Sequence, residues 1–326
     1  MKVLVAVDSI NTLDILINEM SARPWPSGTE VRVLSIIDDG DVPLKVWGDE
    51  GYGLSALRRE MDRRGKQISA LAVERLRKIG IPSQVVIMSG DPKFLISFAA
   101  QSWPADLILI RANNRKDVRN RLLGSVAKSV VKSAPCSVEV VRAREKADTT
   151  EAARRDFRVL LATDGSEASI AASQAIAEMS WPEDTEVRVV SVVNPMVYSF
   201  EELGVTGDQS TDYAHRAIGK AVQVLSDAPV RISAEVIAGN AARQIIARAK
   251  HWGADLIVLG ANERRGLSRW FFGSTPAAVA KRAHCSVRVI REKDVSLAGN
   301  SLQERFSFSA GTAESANELQ TSRKAA

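Results

Sequence analysis

Short unbroken apolar runs alternate along the chain with longer stretches of helical spacing, and the whole alternation occurs twice. Val3 to Val7 and Val159 to Thr163 are runs rich in branched residues, each followed by an aspartate, Asp8 or Asp164. Such runs suit strands buried on both faces, as in a parallel sheet. Ile10 to Met20 and Ser166 to Met179 then carry apolar residues at helical intervals, with Ala168, Ala171, Ala175, Ile176 and Met179 along one stripe. Val31 to Ile37 and Val187 to Val193 predict second strands. Leu54, Leu57, Met61, Ile68, Leu71 and Ile79 fall at steps of three, four or their sums, which predicts a long amphipathic helix whose counterpart runs from about Thr211 to Leu225. Third strands are predicted over Val85 to Met88 and Glu235 to Ala238, fourth over Asp106 to Ile110 and Asp255 to Leu259, and fifth over Ser137 to Val141 and Ser286 to Ile290. Asp91 before Pro92, and Asn240, have the chemistry of helix N-caps. Strand and helix in strict alternation predict a parallel sheet with helices on both faces, a doubly wound α/β unit made twice.

The duplication also sets the boundaries. Asp8 and Asp164 are 164 − 8 = 156 residues apart, whereas Gly124-Ser125 and Gly273-Ser274 are 273 − 124 = 149 apart, so the first copy holds a seven-residue excess in its middle. A repeat of this length is a domain, not a solenoid unit. Domains are expected over residues 1–143 and 157–292, with a charged, aperiodic linker over 144–156. The segment 293–326, poor in apolar anchors, is expected to be a mobile tail.

Composition narrows the function classes. The chain has 326 residues, 45% hydrophobic and 25% charged, as in a soluble protein with room for two cores. No apolar run approaches a membrane span and the start is too short for a signal peptide, so a cytoplasmic protein without a membrane partner is expected. Cys136 and Cys285 stand at equivalent places before the fifth strands and read as small buried residues. His215, His251 and His284 show no ligand spacing, so no metal cluster is expected. A net charge of +5 without an aromatic and basic motif gives no reason to expect a nucleic-acid partner.

Ligands of open parallel sheets bind beyond the carboxyl ends of the strands, where the strand order reverses. Asp8 and Asp164 follow the first strands. Each carboxylate can accept hydrogen bonds from a ribose or an adenine amino group, or simply cap the next helix, and the residues alone leave both open. After the fourth strand the second copy reads Gly260-Ala261-Asn262-Glu263, nine residues, then Gly273-Ser274-Thr275-Pro276. Glycine permits close backbone approach, and a helix beginning at Ser-Thr-Pro offers free N–H groups to phosphate. Two ordinary turns and a capped helix would have the same pattern. It is neither a Walker A loop nor a dinucleotide fingerprint.

Taken together, Ala162-Thr163-Asp164-Gly165-Ser166, Gly260, Gly273-Ser274 and the closing Cys285-Ser286-Val287-Arg288-Val289 resemble the universal stress protein family in its tandem form, over both copies. The resemblance implies a five-stranded sheet of order 3-2-1-4-5 and ATP binding through G-x-x-G, nine residues, G-[ST]. It also implies dimerisation through the fifth strands, which a tandem chain would satisfy internally as a pseudo-dimer, with a further homodimer and an unidentified protein partner left open. Carried over by position, Ala162, Thr163 and Asp164 would face adenine and ribose with Val192 against the base. Leu259, Gly260 and the backbone at Asn262 would meet the sugar and phosphates, and Gly273, Ser274 and Thr275 the phosphate tail, with Mg²⁺ as a companion of the nucleotide. Glu263 replaces the second motif glycine. Like charges about 4 Å apart repel by roughly 1 kcal/mol in water and about 4 kcal/mol at an effective dielectric of 20, which opposes a triphosphate unless Arg264 and Arg265 offset it.

The first copy departs further. Arg111 and Asn114 take both glycine positions, which leaves Asp8, Ile36, Gly124, Ser125 and Val126, and the Arg111 side chain is expected to fill the space a ligand needs. Glycines and aromatics in the loops after the second strands, among them Trp47 and Tyr198, suit a lid or a partner surface equally. The leading expectation is a stress-response regulator that binds ATP, ADP or AMP mainly in the second domain. The alternative is a nucleotide-free interaction or scaffold module. No general base, carboxylate pair or activated nucleophile assembles around Gly273, so no enzyme is expected, and the resemblance implies slow ATP hydrolysis at most.

Overall fold

In a computed structural model of the chain, the described residues are 1–37, 50–112, 123–143, 156–194, 207–261 and 273–291. The first copy comprises β1 (Lys2–Val7), α1 (Ile10–Ser21), β2 (Glu30–Ile37), α2 (Glu50–Lys78), β3 (Ser83–Ser89), α3 (Pro92–Ser102), β4 (Leu107–Arg111), α4 (Ser125–Ser133) and β5 (Ser137–Val141). The second repeats the order with β6 (Arg158–Ala162), α5 (Glu167–Ala177), β7 (Glu186–Val193), α6 (Gly207–Leu225), β8 (Arg231–Ala238), α7 (Ala241–Trp252), β9 (Leu256–Gly260), α8 (Ser274–Arg282) and β10 (Ser286–Ile290). The third strands are longer than the apolar runs that predict them. Each fourth strand begins one residue later than expected, because Asp106 and Asp255 turn their carboxylates to the backbone N–H groups of Lys2 and Arg158, at 2.6 and 2.9 Å.

One sheet runs through both copies in the order β3-β2-β1-β4-β5-β10-β9-β6-β7-β8. Neighbours within a copy are parallel, and β5 and β10 meet antiparallel at the centre. Each half has the strand order 3-2-1-4-5 that the family resemblance implies.

The side-chain alternation of the strands divides the core into two layers. On one face Leu4, Ala6, Ile108, Ile110, Leu160, Ile257 and Leu259 join α3, α4, α7 and α8 in a single apolar cluster that crosses the seam between the copies. On the other, Val3 and Val5 pack against Leu13 and Leu16 of α1, while Val159 and Leu161 pack against Ala172 and Ile176 of α5, in two separate clusters. Trp25 lies against both of these clusters at the seam. Among the described residues no helix is long and apolar enough to cross a membrane.

Cys136 and Cys285 are buried and neither is in a disulfide, and burial pushes the Cys285 thiol up to about 12, so it is no nucleophile at neutral pH.

Candidate functional site

The strand order reverses between β1 and β4 in the first copy and between β6 and β9 in the second. At the carboxyl end of the second crevice Ala162 and Leu259 are register partners, and Val192 stands two residues beyond the partner of Ala162 on β7. These three side chains share the face on which α7 and α8 pack. They form an apolar floor, with Ala162 and Leu259 buried and Val192 half-buried.

Gly273 is the N-cap of α8 and no side chain hydrogen-bonds to the first turn; Gly124 stands likewise before α4. The contrast with other helix starts is systematic. Ser9, Asp91, Ser166 and Asn240 each accept a hydrogen bond from an early N–H of α1, α3, α5 and α7. A helix start has about four N–H groups without intrahelical partners and a partial positive charge. At α8 those of exposed Ser274 and half-buried Thr275 follow Gly273, before Pro276, which has none.

Asp8 and Asp164 are exposed and neither is itself the helix cap, contrary to the simpler of the two sequence readings. The caps are the serines that follow. Thr12 and Ser9 donate to Asp8 Oδ1, at 2.6 and 3.0 Å. Ser166 donates its N–H and hydroxyl to Asp164 Oδ1, at 3.0 and 2.5 Å. Asp164 Oδ2 accepts nothing from the described residues. The signal for the caps was present in sequence, since Ser9 and Ser166 immediately precede helically spaced apolar residues.

Two predicted site residues have other duties. The Thr163 hydroxyl is buried, donates to Ser169 Oγ at 3.1 Å and accepts from the Gly165 N–H at 3.3 Å, so it anchors the start of α5 rather than facing the apolar floor. A Cβ at Gly260 would lie 2.2 Å from the Ala168 carbonyl oxygen and 2.7 Å from the Ser169 nitrogen. Glycine at 260 is therefore required by the close backbone approach of α5, and its backbone ends the strand beside the crevice.

The first copy resolves the same contact differently. Arg111 ends β4 where Gly260 ends β9, and by strand alternation its side chain leaves with Leu107 and Leu109, toward α1 and α2. The floor residues Ala6 and Ile36 lie on the opposite face. The helix entries differ in step: Ser9 caps α1 directly after Asp8, whereas Gly165, at φ +74°, precedes the Ser166 cap of α5. Ile36 is buried, Gly124 and Val126 are half-buried and Ser125 is exposed. The Gly124 N–H is bonded to the Ala112 carbonyl at 2.7 Å, which closes the base of the intervening loop.

Asn262, Glu263, Arg264 and Arg265 lie outside the described residues, as do Asn114 and residues 38–49, 144–155, 195–206 and 292–326, which include most of the loops after the second strands, the expected linker and the expected tail. Among the described residues no group of three or more His, Cys, Asp or Glu side chains could hold a metal ion.

The pattern of the universal stress protein family matches residues 1–142 and again 157–291. A universal stress protein of Methanocaldococcus jannaschii is 30% identical over 141 residues, covering 41% of this chain and 82% of its own. One from Mycobacterium tuberculosis is 27% identical over 247 residues, covering 70% of this chain and 77% of its own. The crystal structure of a universal stress protein from Archaeoglobus fulgidus superposes with a TM-score of 0.59 at 20% identity, over 90% of this chain and 97% of that one, a likeness of fold. The apolar floor, the uncapped helix start and the twofold match agree on one assignment: this chain belongs to the universal stress protein family and carries its domain twice.

Proposed function

We propose that the second copy binds an adenine nucleotide, ATP, ADP or AMP, at the carboxyl ends of β6 and β9, and that the chain acts as a stress-response regulator through that binding. The observation that carries the proposal is the open Oδ2 of Asp164 just after β6 together with the uncapped start of α8 after β9, the two strands between which the strand order reverses. Ala162, Val192 and Leu259 offer an apolar surface to the base, and Asp164 Oδ2 accepts from ribose hydroxyls. The free N–H groups at Ser274 and Thr275 take a phosphate. Mg²⁺ would enter with a polyphosphate rather than on a protein cage. The role of the site is binding rather than turnover.

The first copy supports a different reading, that of a partner domain without nucleotide. Its entry turn lacks the glycine step, and its fourth strand ends in Arg111. Isothermal titration of the full chain with ATP, ADP and AMP tests both readings. Loss of charge-assisted hydrogen bonds to Asp164 is worth about 1.5–3 kcal/mol, so Asp164→Ala should weaken binding about 10- to 100-fold. Absence of heat with all three nucleotides would refute the proposal.

A further inference from the structure

The seam between the copies is held by two sets of charged side chains, one symmetric and one not. Arg142 of the first copy donates to the carbonyls of Ala280 and Cys285, at 2.6 and 3.4 Å, around the end of α8. Arg291, its equivalent at 142 + 149, donates to the carbonyls of Lys132 and Ala134 around the end of α4. Each copy thus clasps a helix end of the other, where a cation is favoured by the helix dipole. Such a clasp would form equally well between two identical copies.

The centre is different. Arg288 of β10 pairs with Glu139 of β5 in register, flanked by Val287 with Val140 and Val289 with Val138. Since 288 − 149 = 139, these are equivalent positions and the pair lies on the local twofold axis. Arg288 Nε donates to Glu139 Oε2 at 2.6 Å, and Arg23 Nη2 donates to both carboxylate oxygens, at 2.6 and 2.8 Å. The three side chains are almost completely buried. The second copy has Met179 where the first has Arg23 (179 − 23 = 156), and Ala175 where the first has the buried Glu19 (175 − 19 = 156).

We infer that the seam is selective by charge: the fifth-strand edge of the second copy accepts a strand that brings a buried carboxylate to the axis, as the first copy does, and rejects a second copy of itself. A pair of second copies would bring two Arg288 guanidiniums together on the axis, with neither Glu139 nor Glu19 available. Buried like charges without a counterion are strongly unfavourable. Two first copies would oppose two Glu139 carboxylates, each still held by its own Arg23, so the rejection resides mainly in the second copy. The symmetric clasp strengthens any such pairing, and the axial charges choose the partner.

The test uses two full-length variants, Glu139→Arg and Arg288→Glu. Each has like charges across its own seam, but the first copy of either variant complements the second copy of the other. A mismatched buried pair weakens a seam about a hundredfold or more, so relieving two seams gains roughly 10⁴-fold. Joining two chains at about 10 μM forfeits roughly 10²-fold against a linker effective concentration in the millimolar range. Co-refolding should therefore give a one-to-one heterodimer by native mass spectrometry, absent from either variant alone. A mixture showing only the species of the separate variants would overturn the inference. Should the single variants fail to fold, the reversed chain Arg23→Met/Glu139→Arg/Arg288→Glu decides: recovery of wild-type mass and cooperative melting supports charge selection, and failure to recover overturns it.

Discussion

The two copies share strand order, apolar floor positions and α4 and α8 starts without a side-chain cap, yet differ at the point where the first helix of each meets the end of the fourth strand. In the second copy Gly165 adds a left-handed step before the Ser166 cap, and the backbone of α5 comes so close to β9 that only glycine fits at 260. In the first, Ser9 caps α1 at once and Arg111 stands at the strand end. A duplicated scaffold can therefore keep its core while one contact between a helix start and a strand end decides the shape of the crevice mouth. The floor is preserved because core packing demands it; the mouth is free to diverge.

The largest expected effect lies at the seam, where the copies differ in charge. Glu139→Gln leaves Arg23 and Arg288 buried without their carboxylate and should cost about 3–5 kcal/mol in denaturant unfolding, more than any single change at either mouth. The same group gives an acid dependence. Burial alone would raise the Glu139 carboxyl, but Arg23 and Arg288 overcome it and hold the group at about 2 instead of 4.5. A depressed folded value means that its stabilisation is complete above about pH 4.5 and is lost as pH falls toward 2. Urea titrations across that window should show a slope that Glu139→Gln reduces.

Next in size is Gly260→Val, which forces the α5 backbone away and should destabilise by about 2–3 kcal/mol. The reciprocal Arg111→Gly should cost no more than about 1 kcal/mol, the ordinary penalty of glycine in a strand, because the first copy has no such close approach to relieve. Equal costs for the two would remove the distinction drawn between the mouths.

The smallest effects separate the caps. Ser9→Ala and Ser166→Ala should each lower stability by about 1 kcal/mol. Ser166→Ala should in addition weaken nucleotide binding, because its hydroxyl and N–H orient Asp164, whereas Ser9→Ala should leave binding unchanged.

The fold was legible in the sequence because buried parallel strands are unbroken apolar runs, and the duplication let Val3 to Val7 be read against Val159 to Thr163. Asp91 and Asn240 were legible as caps for a local reason, each standing directly before a helically spaced segment. At Gly260 the glycine suits both a ligand and a close helix, and the approach of Ala168 is a long-range contact that local pattern does not encode. The bonds of the Thr163 hydroxyl to Ser169 and Gly165 were hidden for a like reason, since the direction of a side chain at a strand end depends on which face the next helix covers. The seam triad has a sequence signal of its own: Glu139 and Arg288 are the charged residues at equivalent places within fifth strands that are otherwise apolar after their first serine. That they face one another depends on the antiparallel register of β5 and β10, a long-range pairing that local pattern does not encode.

The central claim, that the mouth of the second copy is the nucleotide site and that of the first is not, is tested most directly by titrating ATP into the full chain and into its Asp8→Ala and Asp164→Ala variants. The account predicts one nucleotide per chain, an affinity unchanged by Asp8→Ala and weakened about 10- to 100-fold by Asp164→Ala. Two nucleotides per chain, or a loss of affinity with Asp8→Ala and none with Asp164→Ala, would contradict it.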